Sequence, residues 1–256
     1  MRQAQAGEGR MQDTVVVANR GGKGACVLLC DHASNRMPPK FGTLGLGAEE
    51  LVAHIAWDPG ALGVARHLSS LLDAPLVHPT VSRLVIDCNR REDAGDLIPE
   101  ISERTAIPGN AALSEAEREE RLDLVHRPFH RAIEALVDER LARGAPTFLV
   151  SVHTFTPVYK DVPRRWQIGI LSNVDRRLAG RLIGELSHEE GLCVGDNEPY
   201  APRDGVYYTL ARHGEGRGLA TAMLEIRNDE VATAEAERAW AERLYPVLAR
   251  FGDALR

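Results

Sequence analysis

The sequence predicts a three-layer α/β domain, with helices covering both faces of a central sheet. Two observations carry this reading. Short apolar runs bounded by Gly, Pro or Asp alternate with amphipathic segments of helical period through the whole length. The run Phe148-Leu149-Val150-Ser151-Val152 is apolar at nearly every position, as a strand covered on both faces requires. No repeat, low-complexity segment or linker interrupts the alternation. Residues 14–256 are therefore expected to form one domain, behind a flexible polar tail over 1–13.

Strands are expected at Thr14–Ala18, Ala25–Cys30, Pro75–Val77, Leu84–Asp87, Thr147–Val152, Gln167–Leu171, Leu192–Val194 and Leu219–Ile226. A helix over Asp58–Leu72 would open on an Asp cap followed by Pro59, a good first-turn residue. The helix over Ser114–Arg143 opens on the capping-box pattern Ser114-x-x-Glu117. Its apolar stripe runs through Leu122, Val125, Phe129, Ile133, Leu136, Val137 and Leu141, and Pro128 should kink or split it. Asp175–Ser187 is amphipathic. Ala234–Leu255 closes the chain with Trp240, Leu244, Val247 and Phe251 on one face and an expected kink at Pro246.

Composition removes several function classes. The chain has 256 residues, 37 acidic and 31 basic side chains, and a net charge of −6. That balance argues against nucleic acid as a partner, because a binding face needs clustered Lys and Arg. No apolar run approaches the ~18 residues of a membrane span, and the N-terminus lacks the apolar core of a secretory signal. Cys26, Cys30, Cys88 and Cys193 form no CxxC pair, which points to free thiols in a reducing, cytoplasmic compartment.

Residues suited to chemistry collect at the ends of the buried strands, where open α/β sheets bind ligands. His32, in Cys30–Pro38, could offer imidazole to a metal or be an ordinary loop histidine. Asp58 could cap its helix, or serve a metal or a metal-bound histidine. Arg83, Asn89 and Arg90 flank an apolar segment and could bind a carboxylate, with Asp87 pairing internally to an Arg. His153 ends the most apolar strand, and two such histidines far apart in sequence suit a site assembled by folding. Glu225 stands in the apolar run Met223–Ile226, where burial would raise its pKa into the range of a general base unless an Arg pairs with it. A loop over 195–208 could cover a pocket and present a Tyr, with Tyr207 the candidate. Arg212-His213-Gly214 comes too late in the chain for a phosphohistidine motif, and the P-loop, GxSxG and HExxH patterns are absent.

Read together, CDHASNRMP, HIAWDPGA, SRLVIDCNR, SVHTFTPV, GDNEPY and LEIRND resemble the N-formylglutamate amidohydrolase family, in order, over residues 30–229. That family is similar to zinc exopeptidases of the phosphorylase/hydrolase-like fold. The resemblance implies a mixed, twisted sheet in a three-layer α/β/α arrangement. It also implies one Zn2+ or similar divalent ion bound by His32 and His153. Asn35 stands where zinc carboxypeptidases place a Glu, so the third ligand would be Asn35, His54 or, preferably, Asp58. Asn89–Arg90 matches the pair that holds a substrate carboxylate, and Glu225 matches the catalytic Glu.

The implied reaction is hydrolysis of a small anionic N-acyl amino acid, N-formylglutamate in the name-bearing case, as in histidine degradation. Glu225 would be the base, Arg83 or Arg90 would stabilise the oxyanion or clamp the substrate carboxylate, and Tyr207 and Arg227 would join Asn89 and Arg90 in binding substrate. The protein would be a monomer or small homo-oligomer. Hydrolysis of another amide, or metal-free binding of small molecules, are the alternatives.

Overall fold

The computed structural model describes residues 13–256, so the tail expected over 1–13 lies, except for Asp13, outside the described residues. In chain order the strands are β1 (Val15–Ala18), β2 (Cys26–Leu29), β3 (Leu76–Pro79), β4 (Ile101–Ser102), β5 (Thr105–Ala106), β6 (Phe148–Phe155), β7 (Val158–Tyr159), β8 (Val162–Pro163), β9 (Ile168–Leu171), β10 (Val194–Asp196) and β11 (Thr221–Arg227). The α-helices are α1 (Ala48–Val52), α2 (Ala61–Leu71), α3 (Glu115–Arg121), α4 (Arg127–Ala142), α5 (Arg177–Leu186), α6 (Tyr208–His213) and α7 (Ala234–Asp253).

Seven strands form one sheet in the order β1-β3-β2-β6-β11-β9-β10. β3, β2, β6 and β11 run parallel; β1 is antiparallel to β3, and β9 to β11, so the sheet is mixed as expected. Every residue of β6 is buried, because the strand is central and covered on both faces. Successive side chains alternate between two cores. Phe148, Val150 and Val152 pack with Leu68 of α2, Leu182 of α5 and Leu244 of α7. Leu149 packs on the other face with Met223, and with Phe129 and Ile133 of α4. This is the three-layer α/β/α architecture. Among the described residues, no helix is long and apolar enough to cross a membrane.

The helix expected over Ser114–Arg143 is split. Ser114 and Glu117 form the expected reciprocal cap of α3. A π-helical turn, Leu122–His126, then separates α3 from α4. Pro128 has no N–H for the Leu124 carbonyl, and the Thr14 hydroxyl takes that carbonyl at 2.6 Å. Pro246, by contrast, lies inside α7 without ending it.

The strand expected at Leu84–Asp87 is not formed, although Leu84, Val85 and Ile86 are fully buried. The Ser82 hydroxyl accepts from the Leu84 N–H, and the Val85 N–H returns to the Ser82 carbonyl, which makes a turn. Remote side chains meet the carbonyls a ladder would have satisfied: Asn110 donates to Leu84 O, and Arg121 to Val85 O. The strand expected at Leu192–Val194 starts instead at Val194. α2 starts at Ala61, three residues after Asp58, with Gly60 at φ 82° before it.

Candidate active site

β2, β6 and β11 are parallel, so their C-terminal ends reach the same edge of the sheet. Asp31 and His32 follow β2. Ser151 and His153 stand on the same face of β6. Glu225, on β11, is the register partner of His153. Asp58 reaches this edge because the turn before α2 is pinned there, its N–H donating to the His32 carbonyl at 2.9 Å.

The Asp58 carboxylate does not cap α2. Its Oδ2 lies 3.2 Å from His32 Nδ1 and 2.9 Å from His153 Nδ1. The far nitrogens are held by two further carboxylates: His32 Nε2 by Asp87 Oδ1 at 2.7 Å, and His153 Nε2 by Asp31 Oδ2 at 3.1 Å. A carboxylate only accepts, so each ring nitrogen here is placed to donate; with a metal at the two Nδ1 atoms beside Asp58, Asp87 and Asp31 would keep the hydrogen on Nε2. Asp31 also receives the hydroxyls of Ser151 and Thr209. Asp87 receives Arg83 Nη2 at 2.5 Å and the Asn89 N–H at 2.8 Å.

These groups titrate far from their ordinary values. Burial alone would raise the carboxylates, but the two imidazoles hold Asp31 and Asp58 well below the usual range. Asp87 is likewise depressed against burial, chiefly by the Arg83 charge and then by His32. Burial disfavours a charged His153, yet hydrogen bonds to Asp31 and Asp58 raise it. The cluster is thus a set of anionic carboxylates around two basic imidazoles.

His32, Asp58 and His153 each offer one ligand atom, and these atoms lie within 4.8 Å of one another. Two imidazole nitrogens and one carboxylate oxygen match the donor set of a catalytic divalent-metal site with an open fourth position. Asn35 and His54 stand outside this group: Asn35 donates to the Leu51 carbonyl at 3.0 Å, and His54 pairs with Glu103 at 2.7 Å.

A cavity of about 230 Å³ opens over the cluster. Its walls include Arg83, Asn89, Arg90, Phe155, Tyr159, Tyr200 and Glu225. Glu225 is buried, and its Oε2 has no hydrogen-bond partner among the described residues. Burial pushes its pKa up to about 7; the Asp58 charge adds to this, while His153, His32 and Arg83 oppose it. Among the described residues no Arg pairs with Glu225, which removes the simplest structural reason for a carboxylate at this strand end.

Arg83 and Arg90 both line the cavity, because the segment between them is folded into turns rather than extended. Arg83 Nη1 lies 3.5 Å from Asp58 Oδ1. Arg90 is tied to Asp96 at 2.6 Å. The Asn89 side chain is used internally, donating to Val206 O and accepting from the Thr209 N–H. Tyr207 and Arg227 stand apart from the cavity. The Tyr207 hydroxyl meets Thr221 Oγ1, at the start of β11, at 3.1 Å. Arg227 pairs with Asp229 and Glu230. The tyrosine on the cavity wall is Tyr200, the last residue of the GDNEPY segment. Asp31, next to His32 in sequence, is the other member whose place was not anticipated. His213 is bonded to His130 at 2.9 Å, in the layer below.

Residues 24–232 match the family model described as N-formylglutamate amidohydrolase. The chain belongs to the N-formylglutamate amidohydrolase family. Every residue of the cluster and the cavity wall falls within the matched span. A crystal structure of a gene product from Agrobacterium tumefaciens is 42% identical, with 95% of this chain and 96% of that one aligned at a TM-score of 0.92. The crystal structure of N-formylglutamate amidohydrolase from Ralstonia eutropha is 18% identical over 96% of this chain and 99% of that one, at a TM-score of 0.72, and shares the fold. No curated protein matches the chain significantly.

Proposed function

We propose that this protein is a metal-dependent amidohydrolase that cleaves N-formylglutamate, or a close N-acyl amino acid, to formate and glutamate. One domain over residues 14–256 would carry the whole site. The observation that supports this most is Glu225: a buried carboxylate with an unpartnered oxygen and a pKa near 7, on the wall of the cavity that His32, Asp58 and His153 also line. The family name carries the choice of substrate.

His32, Asp58 and His153 would hold the ion, zinc or a similar divalent cation. When bound, it would supply a Lewis acid for the amide carbonyl. Glu225 accepts a proton from the attacking water as the water oxygen bonds to the carbonyl carbon. It returns that proton to the amide nitrogen as the C–N bond breaks, so one carboxyl group serves as base and then acid. Arg83, beside Asp58, donates to the oxygen that becomes negative. Arg90, on the same wall, faces the substrate α-carboxylate. Asn89 contributes indirectly, by holding the loop at Val206 and Thr209 against the cavity. At about 230 Å³ the cavity is smaller than most ligand sites, which run to roughly 300–1,000 Å³, and suits a single amino acid derivative better than a polymer.

The test is to supply zinc to the purified protein and measure formate and glutamate released from N-formylglutamate. Stoichiometric release that chelation abolishes is expected. Zinc-loaded protein that leaves N-formyl and N-acetyl amino acids intact would overturn the reading.

A further inference from the structure

The cations nearest the reaction centre already face carboxylates of the chain. Arg83 is paired with Asp87 and Asp58, and Arg90 with Asp96. Arg164 differs. It is 9% exposed, and no described carboxylate pairs with it. Its guanidinium carbon stands 4.5 Å from the ring centre of Tyr159, 4.7 Å from Tyr200 and 5.5 Å from Phe155. All three rings line the cavity. Its side chain donates to the Tyr200 hydroxyl and, over a long 3.4 Å, from Nη1 to Thr156 O.

The other two buried arginines show how unusual this is. Arg121 donates to Val85 O, Gly109 O and Asn110 Oδ1, and Arg140 to Gly22 O, Gly24 O, Pro146 O and Thr147 Oγ1. Both brace backbone carbonyls, although Arg121 Nε is left without a partner among the described residues. Arg164 is held only by a long bond to a carbonyl and by the Tyr200 hydroxyl, in a cage of rings that stabilises a cation but supplies no counter-charge. A buried charge without a partner is costly, so the arrangement persists most readily where a ligand supplies the missing anion.

We infer that Arg164 is the receptor for the side-chain carboxylate of the substrate, and that it makes the site select acidic N-acyl amino acids. This rests on the proposed hydrolysis. The planar fork accepts a carboxylate bidentately, and Tyr159 and Tyr200 hold its plane. Arg164 is not itself on the cavity wall but stacks on Tyr159 and Tyr200, which are, whereas Arg83 stands at Asp58. It therefore meets the carboxylate remote from the scissile amide.

The experiment compares N-formylglutamate with N-formylglutamine, which differ only in that carboxylate. In zinc-loaded wild type the ratio of their kcat/KM values is expected to favour the acid. Arg164→Met should lower the ratio at least tenfold, through KM for the acid. Arg164→Lys keeps the charge but loses the fork, serves if the Met variant does not fold, and should lower the ratio at least threefold. An unchanged ratio in either folded variant overturns the inference. Calorimetric binding of glutarate, which contains no amide, tests Arg164 apart from catalysis. If wild type cleaves neither compound, the hydrolase reading fails. Glutarate bound by wild type and lost in the variant would still support the carboxylate receptor, and equal or absent binding would refute it.

Discussion

Asp87 Oδ1 accepts the Nε2 hydrogen of His32 at 2.7 Å, and this bond turns the other nitrogen of the ring to Asp58. Asp31 does the same for His153 from the neighbouring strand end. An Asn at either position can donate to Nε2 and so favour the opposite tautomer, with hydrogen on Nδ1. Asp87→Asn and Asp31→Asn are each expected to weaken zinc binding by about 10- to 100-fold. Competition against a chromogenic chelator reads this directly. Wild-type affinity in both variants would refute the positioning role.

Glu225→Gln keeps the shape of the side chain and removes its basicity. Turnover of N-formylglutamate should fall by about 10²- to 10⁴-fold with bound zinc retained. A variant that turns over normally would exclude Glu225 as the base.

Burial raises Glu225 from 4.5 to about 7, so the folded protein holds this proton more tightly than the unfolded chain. Its contribution to stability is therefore present in full below pH 4.5 and lost as pH rises through about 7. Metal-free wild type should lose thermal stability relative to Glu225→Gln across that interval. Activity has the opposite sign, because the base must be ionised. The acidic limb of kcat/KM should lie at about 7 or lower, since a bound cation pulls the carboxyl pKa down. Thermal melts and rate profiles from pH 5 to 8 check both, and a rate that falls as pH rises through 7 would contradict the base role.

Gly60 has φ 82°, and a Cβ there would stand 2.5 Å from Val231 Cγ2 and 2.6 Å from Val231 O. Gly60→Ala is expected to cost about 2–4 kcal/mol, from left-handed backbone and the clash together. Because this turn carries Asp58, zinc affinity should fall as well. Urea unfolding and chelator competition measure the two effects, and a loss under about 0.5 kcal/mol would show that the turn relaxes.

Much of the fold, and several residues of the candidate site, were legible in the sequence. Apolar periodicity is a local property, so the alternating elements, the covered strand β6 and the reciprocal Ser114–Glu117 cap follow from neighbouring residues alone. A His or Glu at the end of an apolar run is equally local, and it marked His32, His153 and Glu225 as candidates. Choices that depend on distant partners were not legible. Asp58 before a Pro suits a helix cap and a metal ligand alike; the parallel alignment of β2 with β6 turned it to two histidines. Leu84–Ile86 has the composition of a strand, but Ser82, Asn110 and Arg121 satisfy its backbone as turns, and this brings Arg83 and Arg90 to one wall. Tyr200 and Tyr207 lie in one loop and differ only in which way the chain turns them, one to the cavity and one to Thr221. Residue type and local period decide which groups are available for chemistry. Tertiary packing decides which of them meet, because only there do charges and hydrogen-bond donors from remote segments compete for the same partner.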